Sequence, residues 1–244
     1  SVYHQLIQSR APTVRQTLAA SLHEIAKILE DQGTVEEELV PIFEELIQDI
    51  ELVQMGVVRH LAQFLTHLSR PCRISYIPEM HNILHQVNPF NWRLRESLAI
   101  QLPILIDMPG PQNVYVTLFP LVMTLLQDPV ACVRKGSFEG VAKMLIVLAK
   151  LTGDLSLEDS DDQGEYADST QGIEKHREHL DSVVRAINSL GMGETFQLRQ
   201  LWAELAVVLL KRVPRTLFEK FFIDGVLLLT PDPVSNVRLA VAEL

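Results

Sequence analysis

Asp128-Pro129-Val130-Ala131-Cys132-Val133-Arg134 sets a short acceptor side chain, a proline and an apolar–arginine pair within one turn and the start of a helix. Parts of that stretch recur along the whole chain. The apolar–arginine pair returns as Val14-Arg15, Leu94-Arg95, Leu198-Arg199 and Val237-Arg238, with Val53-Gln54 in the remaining place of the series. Successive intervals are 39, 41, 39, 65 and 39 residues. A period of about 40 in a helical pattern is that of HEAT-type units, since ankyrin and tetratricopeptide repeats are shorter. The long interval implies a segment inserted between two ordinary units. The expected fold is therefore all-α: a right-handed HEAT-repeat α-solenoid, a superhelix of antiparallel helix pairs that serves as a binding scaffold.

Each unit reads as a helix A, a short turn and a helix B that opens near the recurrent arginine. Val14, Leu18, Leu22, Ile25 and Leu29 follow Pro12 at helical spacing, which makes the first helix B. The second unit runs from about Val35 to Gln48 and then through Val53, Val57, Leu61, Phe64 and Leu68. The third uses 74–87 and 92–106, the fourth 112–126 and 131–149, and the fifth 173–190 and 195–211, with a sixth from Thr216. Asp49, Asn88, Asp128 and Asp232 occupy the turns, where a short acceptor caps the next helix, and prolines follow three of them. Pro41 and Pro120 each precede a turn Asp by eight residues, a place where proline bends helix A. Pro103, inside a helix B, does not fit the scheme. The domain expectation is HEAT repeats one to four over 1–150, an acidic disordered insert over 151–172, and repeats five and six over 173–244.

Charge supports that division. The net charge is −10, yet 151–172 holds seven acidic residues and no Lys or Arg, so the remainder carries 24 acidic against 21 basic residues. A nearly neutral array has no footprint for a phosphate backbone, which disfavours nucleic acid. No apolar stretch approaches a bilayer span, and no charged-then-apolar leader opens the sequence. Cys72 and Cys132 lie far apart without zinc or CxxC spacing, a usage that suits a reducing compartment, cytoplasmic and/or nuclear. The last residues stop within a repeat helix and would leave an apolar end uncovered, so the expectation is a fragment of a longer protein.

Candidate chemistry is sparse. His81 and His85 sit four apart on a helix but lack a third ligand, so solvated or half-buried helix histidines are favoured over a metal site. The run Glu174-Lys175-His176-Arg177-Glu178-His179 interleaves cations with ligand types and reads as a charged helix face. Glu36-Glu37-Glu38 and Glu44-Glu45 read as a solvent face. There is no phosphate-cradling glycine loop, nucleophile elbow or dinucleotide fingerprint, so neither an enzyme nor a cofactor is expected. In the insert, Ser156 and Ser160 precede acidic residues closely and are candidate phosphorylation sites, against the plainer reading of a solvated loop.

Two sets of residues concern binding. Arg15, Arg95, Arg134, Arg199 and Arg238 are read as a structural ladder reaching the turn residues Asp49, Asn88, Asp128 and Asp232 of neighbouring units, which fixes register more than it adds stability. The turn Asn88-Pro89-Phe90-Asn91-Trp92-Arg93 places two aromatics and a base where a solvated turn needs none. Trp and Arg dominate interface hot spots, so Phe90, Asn91, Trp92 and Arg93 are the candidate contact site, with Phe196 in the corresponding turn of the fifth repeat. Packing of Trp92 against the adjacent repeat is the competing reading.

The blocks Ala19–Leu29, Leu39–Leu46 and Asn91–Ala99 resemble the protein phosphatase 4 regulatory subunit 1 family, and more broadly the HEAT scaffolds of type 2A phosphatases. The likeness runs in register through Pro233-Val234-Ser235-Asn236-Val237-Arg238. It implies a non-catalytic regulatory subunit that binds a phosphatase 4-like serine/threonine phosphatase catalytic subunit and directs its choice of phosphoprotein substrates. In related scaffolds that subunit docks on the ridge of intra-repeat turns, which would place Phe90, Trp92 and Arg93 near such contacts. Gln54 departs from the ladder pattern. A transport-receptor-like HEAT adaptor and a structural spacer segment are the alternatives.

Overall fold

Leu18, Leu22 and Ala26 recur every four residues, and all three are buried along one face of the first long helix. The same spacing organises the rest of the computed structural model, which describes residues 2–86, 90–155 and 170–244. All regular structure among these residues is helical. The chain divides into two compact units, one of 1–109 with 120–136 and one of 110–119 with 137–244.

In the first unit the order is α1 (Val2–Ile7), α2 (Pro12–Leu29), α3 (Gln32–Ile47), α4 (Glu51–Arg59), α5 (Leu61–Thr66), α6 (Arg70–Ser75), α7 (Ile77–Gln86), α8 (Trp92–Ala99) and α9 (Leu102–Ile106). Helices α10 (Val114–Leu126) and α11 (Ala131–Leu151), with a 3₁₀ turn at Pro111–Asn113, contribute residues to both units. The second unit adds α12 (Thr170–Gly191), α13 (Phe196–Arg212), α14 (Arg215–Leu229) and α15 (Ser235–Val241). Helix pairs joined by short turns, repeated along the chain, make this an all-α protein of the HEAT-type α-solenoid class. No helix among the described residues is long and apolar enough to cross a membrane.

Several helices depart from the sequence pattern in an instructive way. Pro41 and Pro120 are accommodated inside α3 and α10. The continuous apolar runs of two B helices are broken instead, between α4 and α5 at His60 and between α8 and α9 at Ile100-Gln101. Pro103 lies in the first turn of α9, where its missing N–H leaves no bond unmade. Buried Gln101 serves both breaks: its side-chain amide donates to Val58 O at 2.7 Å, and its carbonyl accepts from Ala62 N at 2.8 Å. Backbone groups released by the α4–α5 break thus find partners on the next repeat, as buried polar groups must. The third helix A is likewise divided at Tyr76 into α6 and α7.

Successive B helices approach closely through small residues. A Cβ on Gly56 would stand 2.6 Å from the Gln16 carbonyl oxygen and 3.0 Å from Ala19 Cβ. Gly136, two places after its ladder arginine as Gly56 is two after Gln54, packs in the same manner on Ala99 and Ile100. This repeat-to-repeat contact holds the turns at a regular spacing, and that spacing sets the geometry of the ladder.

Candidate functional site

The turn carboxylates and B-helix arginines come together as forked pairs. Arg15 donates from Nε to Asp49 Oδ2 at 2.5 Å and from Nη2 to Oδ1 at 2.9 Å. Arg95 and Asp128 repeat the fork at 2.6 and 3.2 Å, and Arg199 and Asp232 at 2.6 and 3.3 Å. Each partner lies 33 or 34 residues ahead, in the next repeat's turn. The same aspartates also cap their own turns, accepting from the N–H of Ile50, Val130 and Val234. A second bond recurs within four of the repeats, where Nη1 of Arg15, Arg134, Arg199 and Arg238 donates to the carbonyl six residues back. Each such arginine therefore reads its own turn, and two of them, Arg15 and Arg199, read the next turn as well.

Where the pattern fails, it fails for a chemical reason. Gln54 keeps the bond to its own turn, donating to Ile47 O at 3.0 Å, but carries no charge to pair with the third repeat. Asn88, the expected partner there, lies outside the described residues. In the fifth repeat the position of the turn Asp is held by Gly193, which offers Arg199 only a backbone carbonyl. The forks thus tie the repeats in couples, first to second, third to fourth and fifth to sixth.

Electrostatics follow from these contacts. The Arg15 and Arg199 guanidiniums hold the Asp49 and Asp232 carboxyls below the ordinary carboxylate range, chiefly through the hydrogen bonds, with burial opposing. His23 and His179 are pushed below the usual imidazole value, mainly by burial and then by the neighbouring His60 and His176. His23 stacks on His60 with ring centroids 4.1 Å apart, and His179 stacks on Tyr115 at 4.1 Å. A group whose pKa is depressed on folding contributes stability that is complete above its unfolded value and is lost as pH falls through its folded value. Acid titration is therefore expected to lower stability in two phases, the first opening below about pH 6.5 from the histidines and the second below about pH 4 from the carboxylates. A His23→Gln/His179→Gln variant followed by denaturant unfolding should lose the first phase. The same decline in the variant between about pH 6.5 and about pH 5 would refute the assignment.

The run at 174–179 is corrected by the structure. Glu174, Lys175, Arg177 and Glu178 are exposed, but His176 is buried and His179 half-buried against Tyr115, so the segment is not simply a charged face. Helix α12 opens at Thr170, earlier than its apolar spacing suggests. No group of three His, Cys, Asp or Glu residues able to hold a metal ion occurs among the described residues. The side chain of His85, and both Ser156 and Ser160, lie outside the described residues. Asp154, at the start of the acidic segment, donates nothing but accepts from Lys220 Nζ and Thr152 Oγ1 at 2.9 and 3.0 Å.

Phe90 is 87% exposed. Asn91 caps α8, its side chain accepting from Leu94 N at 3.3 Å. Trp92 and Arg93 follow in the first turn of α8, with the Arg93 guanidinium 4.4 Å from the centre of the Trp92 ring. This cation–π contact presents a flat, amphipathic surface beside an exposed phenyl ring, and leaves Trp92 half-buried. Phe196 begins α13 and is 38% exposed, without a comparable neighbour among the described residues.

Comparison with known proteins shows what the chain is similar to. Residues 1–83 match the model of the protein phosphatase 4 regulatory subunit 1 middle domain. Over 143 residues, 59% of this chain, the sequence is 39% identical to the serine/threonine-protein phosphatase 4 regulatory subunit 1 of Homo sapiens, and equally to those of Mus musculus and Rattus norvegicus. The match spans 15% of the length of each of these relatives. A crystal structure of an engineered protein superposes with a TM-score of 0.47 and 12% identity, over 99% of this chain and 93% of its own. Residues 1–83 are thus similar to the middle domain of protein phosphatase 4 regulatory subunit 1, and the wider likeness is to a limited part of those regulatory subunits.

Proposed function

We propose that this chain is a non-catalytic segment of a regulatory subunit that binds the catalytic subunit of a phosphatase 4-like serine/threonine phosphatase, in the cytoplasm or nucleus, and directs it toward phosphoprotein substrates. The observation that carries this reading is the 39% identity to proteins named as regulatory subunits of that phosphatase. The arrangement of side chains supports a scaffold: polar groups are consumed in repeat-to-repeat bonding, which suits positioning rather than chemistry. Contact is assigned to Phe90, Asn91, Trp92 and Arg93, because a ring exposed as fully as Phe90 beside a cation–π pair gives an interface its apolar anchor and its base together.

Co-purification of the phosphatase 4 catalytic subunit with wild type and with Phe90→Ala/Trp92→Ala tests both parts. The expected result is capture by wild type and loss of about tenfold or more in the variant, as for truncation of a central aromatic anchor. Helical content should be unchanged, since Phe90 is 87% exposed and Trp92 half-buried. Failure of the folded wild type to capture the phosphatase would sink the functional reading. Equal capture by both proteins would keep the function and remove the turn from the interface.

A further inference from the structure

Two glycines on neighbouring helices open a groove in the second unit. Gly191 ends α12 and Gly225 lies within α14, and a Cβ on either would stand 3.1 Å from Trp202 Cγ or 2.3 Å from Trp202 Cζ2 respectively. Backbone therefore lies directly on the indole. Above it remains a cavity of about 340 Å³, floored by Trp202 and walled by Met192 and Leu228. Trp202 is 1% exposed, but Met192 and Leu228 are 68% and 56% exposed.

Stacking of a further repeat does not account for these exposed walls. The groove lies between α12 and α14, which already pack together. At roughly 100° per residue, the flank of α14 opposite Gly225 and Leu228 is that of Ile223, and a helix docked beyond α14 would meet that flank. The groove faces solvent from a different side.

Its polar groups are of one sign. Asn188 is already occupied, accepting from Trp202 Nε1 at 3.1 Å and donating to Phe221 O at 2.9 Å. The charge in the lining is the carboxylate of Asp224, which is exposed and has no ion pair with a described residue. Gly191, the last residue of the 22-residue helix α12, lines the same place, and the carbonyls of a helix C-terminus carry partial negative charge, part of which Arg199 meets through the following carbonyls of Gly193 and Glu194. Apolar walls that end on a carboxylate and a helix C-terminus match a long alkyl stem with a cationic head.

We propose that the groove between α12 and α14 receives a lysine or arginine side chain of a partner polypeptide. The methylenes lie on Met192 and Leu228, and the cation sits between Asp224 and the end of α12. A purely apolar side chain would strip water from Asp224 without replacing it. An acidic one would be repelled by the Asp224 carboxylate. This site is independent of the phosphatase reading and of the aromatic turn in the other unit.

The test uses the whole chain, isotope-labelled for amide and indole NMR signals, titrated with Nα-acetyl-lysine methylamide and Nα-acetyl-arginine methylamide. At least one probe is expected to give saturable shifts confined to Gly191, Met192, Gly225 and the Trp202 indole. The Nε-acetylated lysine probe, which keeps the stem and loses the charge, should give none. Asp224→Asn, an exposed substitution that leaves the fold intact, should weaken the response by about fivefold, the upper range for an exposed ion pair. Absence of saturable shifts with both cationic probes would overturn the proposal. So would an equal response to the acetylated probe, or an unchanged response in Asp224→Asn.

Discussion

Replacing Arg95 by alanine is expected to lower the unfolding free energy by about 3–5 kcal/mol, the cost of removing one partner from a buried ion pair. Asp128 is 6% exposed, and after the substitution its carboxylate would keep only the Val130 N–H, at 2.8 Å. Of the three forks this one has both side chains well shielded, at 10% and 6% exposure, against 16% and 17% for Arg15 and Asp49. The Arg15→Ala loss should accordingly be smaller. In a stack where each repeat contacts only its neighbours the effect is local, so hydrogen exchange should accelerate in α8 while α2 keeps its protection. The double variant Arg95→Met/Asp128→Leu separates pairing from burial. It removes both charges and should recover most of the loss, leaving about 1 kcal/mol for the missing cap on Val130. A loss below about 1 kcal/mol for Arg95→Ala would place the fork among ordinary surface pairs and dispose of the argument.

The ladder shows why some of this structure was legible before any coordinates and some was not. An arginine at a fixed place in the period, with an aspartate 33 or 34 residues further on, is a pattern in one dimension. Repeat stacking converts that period directly into distance, so the pairs Arg15–Asp49, Arg95–Asp128 and Arg199–Asp232 could be read from spacing. The break at His60 could not, because the apolar spacing from Val53 to Leu68 continues through it and carries no proline, whereas Pro103 marks the break between α8 and α9. What stabilises that break is a single amide, Gln101, 39 residues further on. The close approaches at Gly56 and Gly136 were written in the sequence as small residues at equivalent places, a signal that apolar periodicity alone passes over. His176 was misread because ligand-type residues among Lys and Arg suggest solvent, whereas helix α12 turns that one position inward.

Trp202→Ala is the second large effect expected, a loss of about 3–5 kcal/mol. The ring is 1% exposed and lies against the backbone at Gly191 and Gly225, so its removal leaves a void that rigid helices cannot close. It would also deprive Asn188 Oδ1 of its donor, while Asn188 Nδ2 remains bound to Phe221 O. Trp202→Phe keeps most of the packing and forfeits that bond, so its cost should fall nearer 1–3 kcal/mol, roughly the penalty of an unsatisfied buried acceptor plus a smaller void. The comparison with Trp92 decides what each tryptophan is for. Trp92 is half-buried and its ring meets a solvent-accessible guanidinium, so Trp92→Ala should cost about 1 kcal/mol or less, mostly the exposed cation–π contact. Denaturant unfolding of the three single variants, read by circular dichroism, gives the ordering directly. If Trp92→Ala proved as destabilising as Trp202→Ala, the aromatic turn would be part of the core and its exposed phenyl ring a poor guide to binding. If the two differ as expected, loss of a partner in the Trp92 variant reports on contact, because the fold that presents the turn is still in place.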